Sequence, residues 1–179
     1  MIAGLCGNAG AGGAMLALAA DYVYARRGVV LNPHYKGRGN LYGSEYWTYT
    51  LPRRVGREQA RELTERCLPV GTQAAKAMGF LDDAFGGSVE EFEQELLERA
   101  TGIAQHPHIW RLLREKHEKR LAGERIKPLV AYRAEELKKM RANFFGPDRT
   151  YHEARQRFVY KGAPVPRAQE QSRRQAYAF

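Results

Sequence analysis

Cysteine is scarce in this chain: Cys6 and Cys67 are the only two among 179 residues, far apart and flanked by apolar neighbours. That excludes a disulfide framework and a thiolate zinc site and suits a reducing compartment, so a cytoplasmic location is expected. No apolar run approaches the ~20 residues that cross a bilayer. Met1 to Ala20 is small and apolar, but it is rich in glycine and lacks the basic start of a secretory signal. His106, His108 and His117 have no further ligand types at helical or turn spacing, so no metal is expected. Internal repeats are absent as well.

What is present is unevenly placed. Of the 29 Lys/Arg residues, 18 lie from Pro107 onward, together with only 8 of the 20 Asp/Glu residues. The basic character therefore belongs to the C-terminal part alone. Such asymmetry fits anionic groups or, equally, a set of solvated helix faces. The apolar share, 44%, is that of an ordinary globular protein, enough for one domain with a sizeable core.

The patterning predicts α/β structure followed by helices. Ile2 to Cys6, Tyr22 to Tyr24 and Gly28 to Leu31 read as short strands. Ala14 to Ala20 has strong helix propensity, and Arg57 to Arg66 reads as a further helix. Thr72 is placed to cap a short helix to Met78, with Gly79 as a left-handed C-cap and Phe80 to Asp82 extended after it. Ser88-Val89-Glu90-Glu91 is a capping-box pattern, and Val89, Phe92, Leu96, Ala100 and Ile103 recur at helical spacing. Ile109 to Arg125 and Leu129 to Phe144 are two more helical segments, and Gly146-Pro147-Asp148 stops the second. The resulting division is a core over 1–85, a helical region over 86–161, and a Pro/Gln/Ser/Arg-rich tail over 162–179 that is expected to be disordered.

Two segments carry candidate chemistry. Gly7-Asn8-Ala9-Gly10-Ala11-Gly12-Gly13 is a turn between a strand and an alanine-rich helix. It presents backbone N–H groups that lack intrahelical partners and suit an anion or a developing oxyanion. The plain alternative is close helix-on-sheet packing with no ligand. A dinucleotide fingerprint fails because its third glycine would fall on Met15, and a P-loop fails because Ala14-Met15 stands where G-K-[ST] is required. Asn32 to Tyr49, NPHYKGRGNLYGSEYWTY, is dense in proton-transfer groups: His34, Tyr35, Tyr42, Glu45, Tyr46 and Tyr49. If this segment is helical, Tyr42, Glu45, Tyr46 and Tyr49 share a face. A carboxylate half-buried there among aromatics would be tuned towards general acid–base work. Tyr46, Trp47 and Tyr49 are more simply packing aromatics.

GNAGAGGAMLALAAD (7–21), LPRRVG (51–56) and PVGTQAAKAMGFLDD (69–83) occur in the order found in crotonases, the enoyl-CoA hydratase/isomerase family, and resemble it. The resemblance implies a partial crotonase (ClpP/crotonase-like) fold followed by C-terminal α-helices. By it Gly12 supplies one N–H of a thioester oxyanion hole, and Gly13 supports the turn. Hydratases carry one glutamate where this chain has Met15, and a second after a proline where this chain has His34. Enoyl-CoA hydration is therefore not expected.

VVLNPHYKG and LYGSEYWTYTLPRRVG resemble, more closely, the crotonase domain of the HypX/HoxX family of hydrogenase maturation factors. That likeness implies a CoA-thioester lyase releasing carbon monoxide from formyl-CoA for nickel–iron hydrogenase maturation. Tyr35 and Glu45 would be the catalytic pair, their acid and base roles open, with His34 and Tyr42 accessory. Coenzyme A would be the substrate carrier, and formyl-tetrahydrofolate would bind only in a preceding domain. Maturation proteins are the expected partners, with neither membrane nor nucleic acid among them. Two alternatives remain: a hydratase/isomerase relative acting on another acyl-CoA, and a non-catalytic fragment that associates with a partner. The likeness also implies that further crotonase core precedes Met1, leaving an apolar edge along Ile2 to Cys6 and Ala14 to Ala20.

Overall fold

The structure, a computed structural model, describes residues 1–33, 35 and 39–160. The order is β1 (Ile2–Leu5), β2 (Ala9–Gly10), α1 (Gly12–Ala17), β3 (Tyr22–Arg26), β4 (Val30–Asn32), α2 (Trp47–Val55), α3 (Arg57–Arg66), β5 (Val70–Gly71), α4 (Thr72–Ala77) and β6 (Asp83–Phe85). Four helices follow: α5 (Val89–Ala104), α6 (Ile109–Ile126), α7 (Leu129–Phe145) and α8 (Thr150–Tyr160).

Six short strands form two small sheets. One is parallel, ordered β1-β3-β6, with Ile2 opposite Tyr22 and Tyr24 opposite Asp83. The other is ordered β2-β4-β5, with β2 parallel and β5 antiparallel to β4. Alternation along β3 sends its side chains to two faces. Val23 and Ala25 point into the main core with Met15, Leu31, Leu51, Leu63 and Phe80. Tyr24 points the other way and meets Phe85, which stacks on Phe92 of α5 at 5.0 Å. Fully burying an aromatic such as Phe92 contributes roughly 1.5–3 kcal/mol, which fixes α5 against the sheet.

Several elements differ from expectation. α1 begins at Gly12 rather than Ala14 and ends at Ala17. Its Ala14, Met15 and Ala17 are buried, as is Leu18 that caps it, while Gly13, Leu16 (63% exposed) and Ala19 beyond it are exposed, so the helix packs one face into the core and leaves Leu16 outside. Thr72 is the first residue of α4, not its cap; Gly71 holds that position and the Thr72 side chain is buried. Phe80 and Leu81 turn into the core, and the strand starts at Asp83. The reason is local. Asp82 N–H donates to Val23 O at 2.8 Å, and Val23 N–H donates to the Asp82 carboxylate at 2.6 Å, so a side chain replaces one rung of the ladder. α8 falls inside the helical region expected over 86–161, though with no bounds of its own there; the Asp148 carboxylate accepts from Thr150 N–H at 2.9 Å where the helix starts. The capping box at Ser88 and Glu91 and the positive φ of Gly79 match expectation. The tail over 162–179 lies outside the described residues.

Candidate active site

The glycine turn is built by backbone. Ala11 N–H donates to Asn32 O at 2.9 Å, tying the turn to the end of β4. Ala11 itself has φ 45° and ψ −120°, a conformation that L-residues rarely adopt. Its carbonyl accepts from both Ala14 N–H and Met15 N–H at 3.1 Å. Gly12 and Gly13 thus open α1 with N–H groups that no earlier turn can satisfy.

The facing wall is made of side chains. Tyr35 is buried, at 6% exposure, and its hydroxyl donates to Glu45 Oε2. Ser44 N–H donates to the same oxygen at 2.9 Å. The other carboxylate oxygen lies over the glycine turn, and a Cβ on Gly12 would stand 3.1 Å from Glu45 Oε1. The Tyr35 ring is pressed on Gly43, whose φ is +78° and where a Cβ would come within 2.5 Å of the ring. Burial, then the hydrogen bond that Tyr35 donates to Glu45 and the negative charges of Glu45 and Glu136, push the Tyr35 phenol well above its ordinary value. It is a firmly held O–H donor, and Glu45 is its acceptor.

The face that Tyr42, Glu45, Tyr46 and Tyr49 would share on a helix does not form. α2 starts only at Trp47, and Tyr46 before it is left-handed, with φ 58° and ψ 25°. Tyr42 and Glu45 lie in the preceding loop. Tyr42 is not brought to the pair; its ring packs on Trp47 at 5.2 Å and under Lys139, and its carbonyl accepts from Trp47 Nε1. His34 lies outside the described residues. Among the described residues, no three His, Cys, Asp or Glu side chains converge as a metal site would need.

The loop is instead held from α7. Tyr132 packs edge-on to Tyr49, Arg133 lies over the Tyr46 ring, Lys139 over Tyr42, and Asn143 Oδ1 accepts from Tyr42 N–H at 3.0 Å. Between them Glu136, fully buried, accepts from Tyr46 N–H (2.8 Å), Thr48 N–H (2.9 Å) and the Thr48 hydroxyl (2.6 Å). Sequence reasoning missed this stripe. Its signal was the recurrence of long polar or aromatic residues at 132, 136, 139 and 143, one face of a helix.

A family model described as enoyl-CoA hydratase/isomerase matches residues 1–167. The chain belongs to this family, the crotonases. It is 45% identical over 155 residues to the hydrogenase maturation factor HoxX of Bradyrhizobium diazoefficiens, a match covering 87% of this chain and 27% of HoxX. A crystal structure of HypX from Aquifex aeolicus in complex with tetrahydrofolic acid is similar at 46% identity and a TM-score of 0.85, over 92% of this chain and 30% of HypX. An enoyl-CoA hydratase/isomerase from Pseudoalteromonas atlantica shares the crotonase fold at 21% identity and a TM-score of 0.73, over 92% of this chain and 63% of its own. This chain thus spans less than a third of the length of the HoxX and HypX relatives. The crotonase core is partial here: one parallel sheet, the glycine turn and its helix, then the helices that follow.

Proposed function

We propose that this chain carries part of a crotonase-type CoA-thioester lyase site that releases carbon monoxide from formyl-CoA, in the maturation of nickel–iron hydrogenase. The observation that supports it best is the Tyr35–Glu45 pair facing the Gly12 turn, while Met15 points into the core. Formyl-CoA has no α-carbon, so an enolate route is closed and the formyl C–H itself must be broken. In this reading the Gly12 N–H stabilises negative charge on the formyl oxygen. The Glu45 carboxylate takes the formyl proton, the C–S bond breaks with its electron pair on sulfur, and carbon monoxide departs. Tyr35, kept protonated, donates to the leaving thiolate and is reprotonated by Glu45, so one proton moves from carbon to sulfur and CoA leaves as the thiol. Coenzyme A is the carrier, formyl-tetrahydrofolate would act in a region outside this chain, and the maturation machinery of the cytoplasm would be the partner.

The test supplies formyl-CoA to the longest chain that encodes this sequence, with Tyr35→Phe and Glu45→Gln as variants. Each should lower turnover by about 10²–10⁴-fold while formyl-CoA still binds. Carbon monoxide is captured on reduced haemoglobin, and CoA thiol is measured in parallel. Unchanged rates in both variants would remove the pair from the mechanism. CoA without carbon monoxide would mean hydrolysis.

A further inference from the structure

α7 buries one residue, and that residue is charged: Glu136 is 0% exposed while its helix neighbours face solvent or the loop. A buried carboxylate costs stability unless donors surround it. Here the three donors come from Tyr46 and Thr48. Tyr46 is the N-cap of α2 and Thr48 lies in its first turn. A helix start leaves N–H groups without partners, normally met by a Ser, Thr, Asp or Asn at the N-cap. α2 has Tyr46 there, which makes no side-chain cap. Glu136, some 90 residues downstream, supplies the missing acceptor and sets its charge at the positive end of the helix dipole.

The consequence reaches the candidate pair. Tyr46 is left-handed, which is uncommon for an aromatic residue. That turn sends the Tyr46 ring outward, to 37% exposure under Arg133, while the preceding side chain, Glu45, points back over Gly12. Releasing Tyr46 to an ordinary conformation would rotate the peptide that joins it to Glu45. We propose that Glu136 is a positioning residue: by capping α2 from another helix it holds Tyr46 left-handed and so aims the Glu45 carboxylate at the glycine turn and Tyr35. This deepens the lyase reading and, for its kinetic consequence, rests on it.

The experiment has two arms, both in the longest chain that encodes this sequence. The variants are Glu136→Gln, which keeps shape but turns an NH₂ towards one of the two N–H groups, Glu136→Ala, and Thr48→Val, which removes only the hydroxyl donor. Hydrogen–deuterium exchange reads the geometry without any substrate. Exchange over 42–49 should quicken in the order Thr48→Val, Glu136→Gln, Glu136→Ala, while β1, β3 and α5 stay protected. The kinetic arm follows carbon monoxide release. Glu136→Gln should lower kcat by about 10²-fold, the scale of a misplaced reacting group, with KM unchanged. It should add little to Glu45→Gln in the double variant. Unchanged exchange over 42–49 in both Glu136 variants would overturn the proposal. So would a loss of protection spread evenly over the chain, or kinetic losses that simply multiply in the double variant. If the unsubstituted protein makes no carbon monoxide, the lyase reading falls, and the exchange arm still decides whether Glu136 holds the loop.

Discussion

The two walls of the site are held in opposite ways. The glycine wall is local: Ala11 is tied to Asn32 by one backbone hydrogen bond, and α1 follows at once. The described residues of the Tyr35–Glu45 wall belong to no helix or strand, and its anchors, Glu136 and Asn143, lie about ninety to a hundred residues further on. One wall is precise because backbone hydrogen bonds to β4 and within α1 hold it. The other is precise because a distant helix removes freedom that the loop would otherwise keep. A site built this way can lose the glycine turn and the Tyr35–Glu45 contact independently.

Changes that cross between the walls should therefore cost most. Gly12→Val places a branched side chain where a single Cβ already stands 3.1 Å from Glu45 Oε1. If the proposed reaction holds, carbon monoxide release should fall by at least about 10²-fold, while thermal unfolding shifts little because Gly12 is only half-buried. An equal loss of stability and activity would mean that the walls are one unit. Gly43→Ala acts inside the loop wall alone. Its Cβ would overlap the Tyr35 ring at a φ of +78°, so a destabilisation of roughly 1–3 kcal/mol is expected from overpacking, with left-handed strain added. Urea unfolding would show it as a lower midpoint at unchanged slope.

The smallest effect is a dependence on pH. The phenol of Tyr35 is raised in the folded state, so its contribution is fully present below the ordinary tyrosine value of about 10. It is lost as pH rises through the higher folded value. Tyr35→Phe should therefore flatten the alkaline end of the stability profile and leave the slope near neutral pH unchanged, at a lower stability. Denaturant midpoints taken at neutral and strongly alkaline pH test this, and parallel profiles for both proteins would refute it.

The same contrast explains what could be read beforehand. The glycine turn, the helix it opens, the capping box at Ser88 and the helices over 109–126 and 129–145 are written in residues within a few positions of one another. The pairing of Tyr35 with Glu45 was anticipated through family likeness, not through spacing. The face that Tyr42, Glu45, Tyr46 and Tyr49 would share on a helix is absent because α2 starts only at Trp47, where its acceptor comes from α7, and no local pattern announces it. The basic stretch read as equally a solvated surface contains the loop's anchors. Its charges obscured a stripe whose decisive member is an acid.

Glu136 also sets a clock on the protein's making. A ribosome releases this chain from its first residue onward, so the glycine turn can close while α7 is still unsynthesised. Tyr46 and Thr48 meet their acceptor only after residue 136 has left the exit tunnel and a long loop has closed. Until then the nascent chain can hold the glycine turn while the loop that carries Glu45 still lacks its anchor.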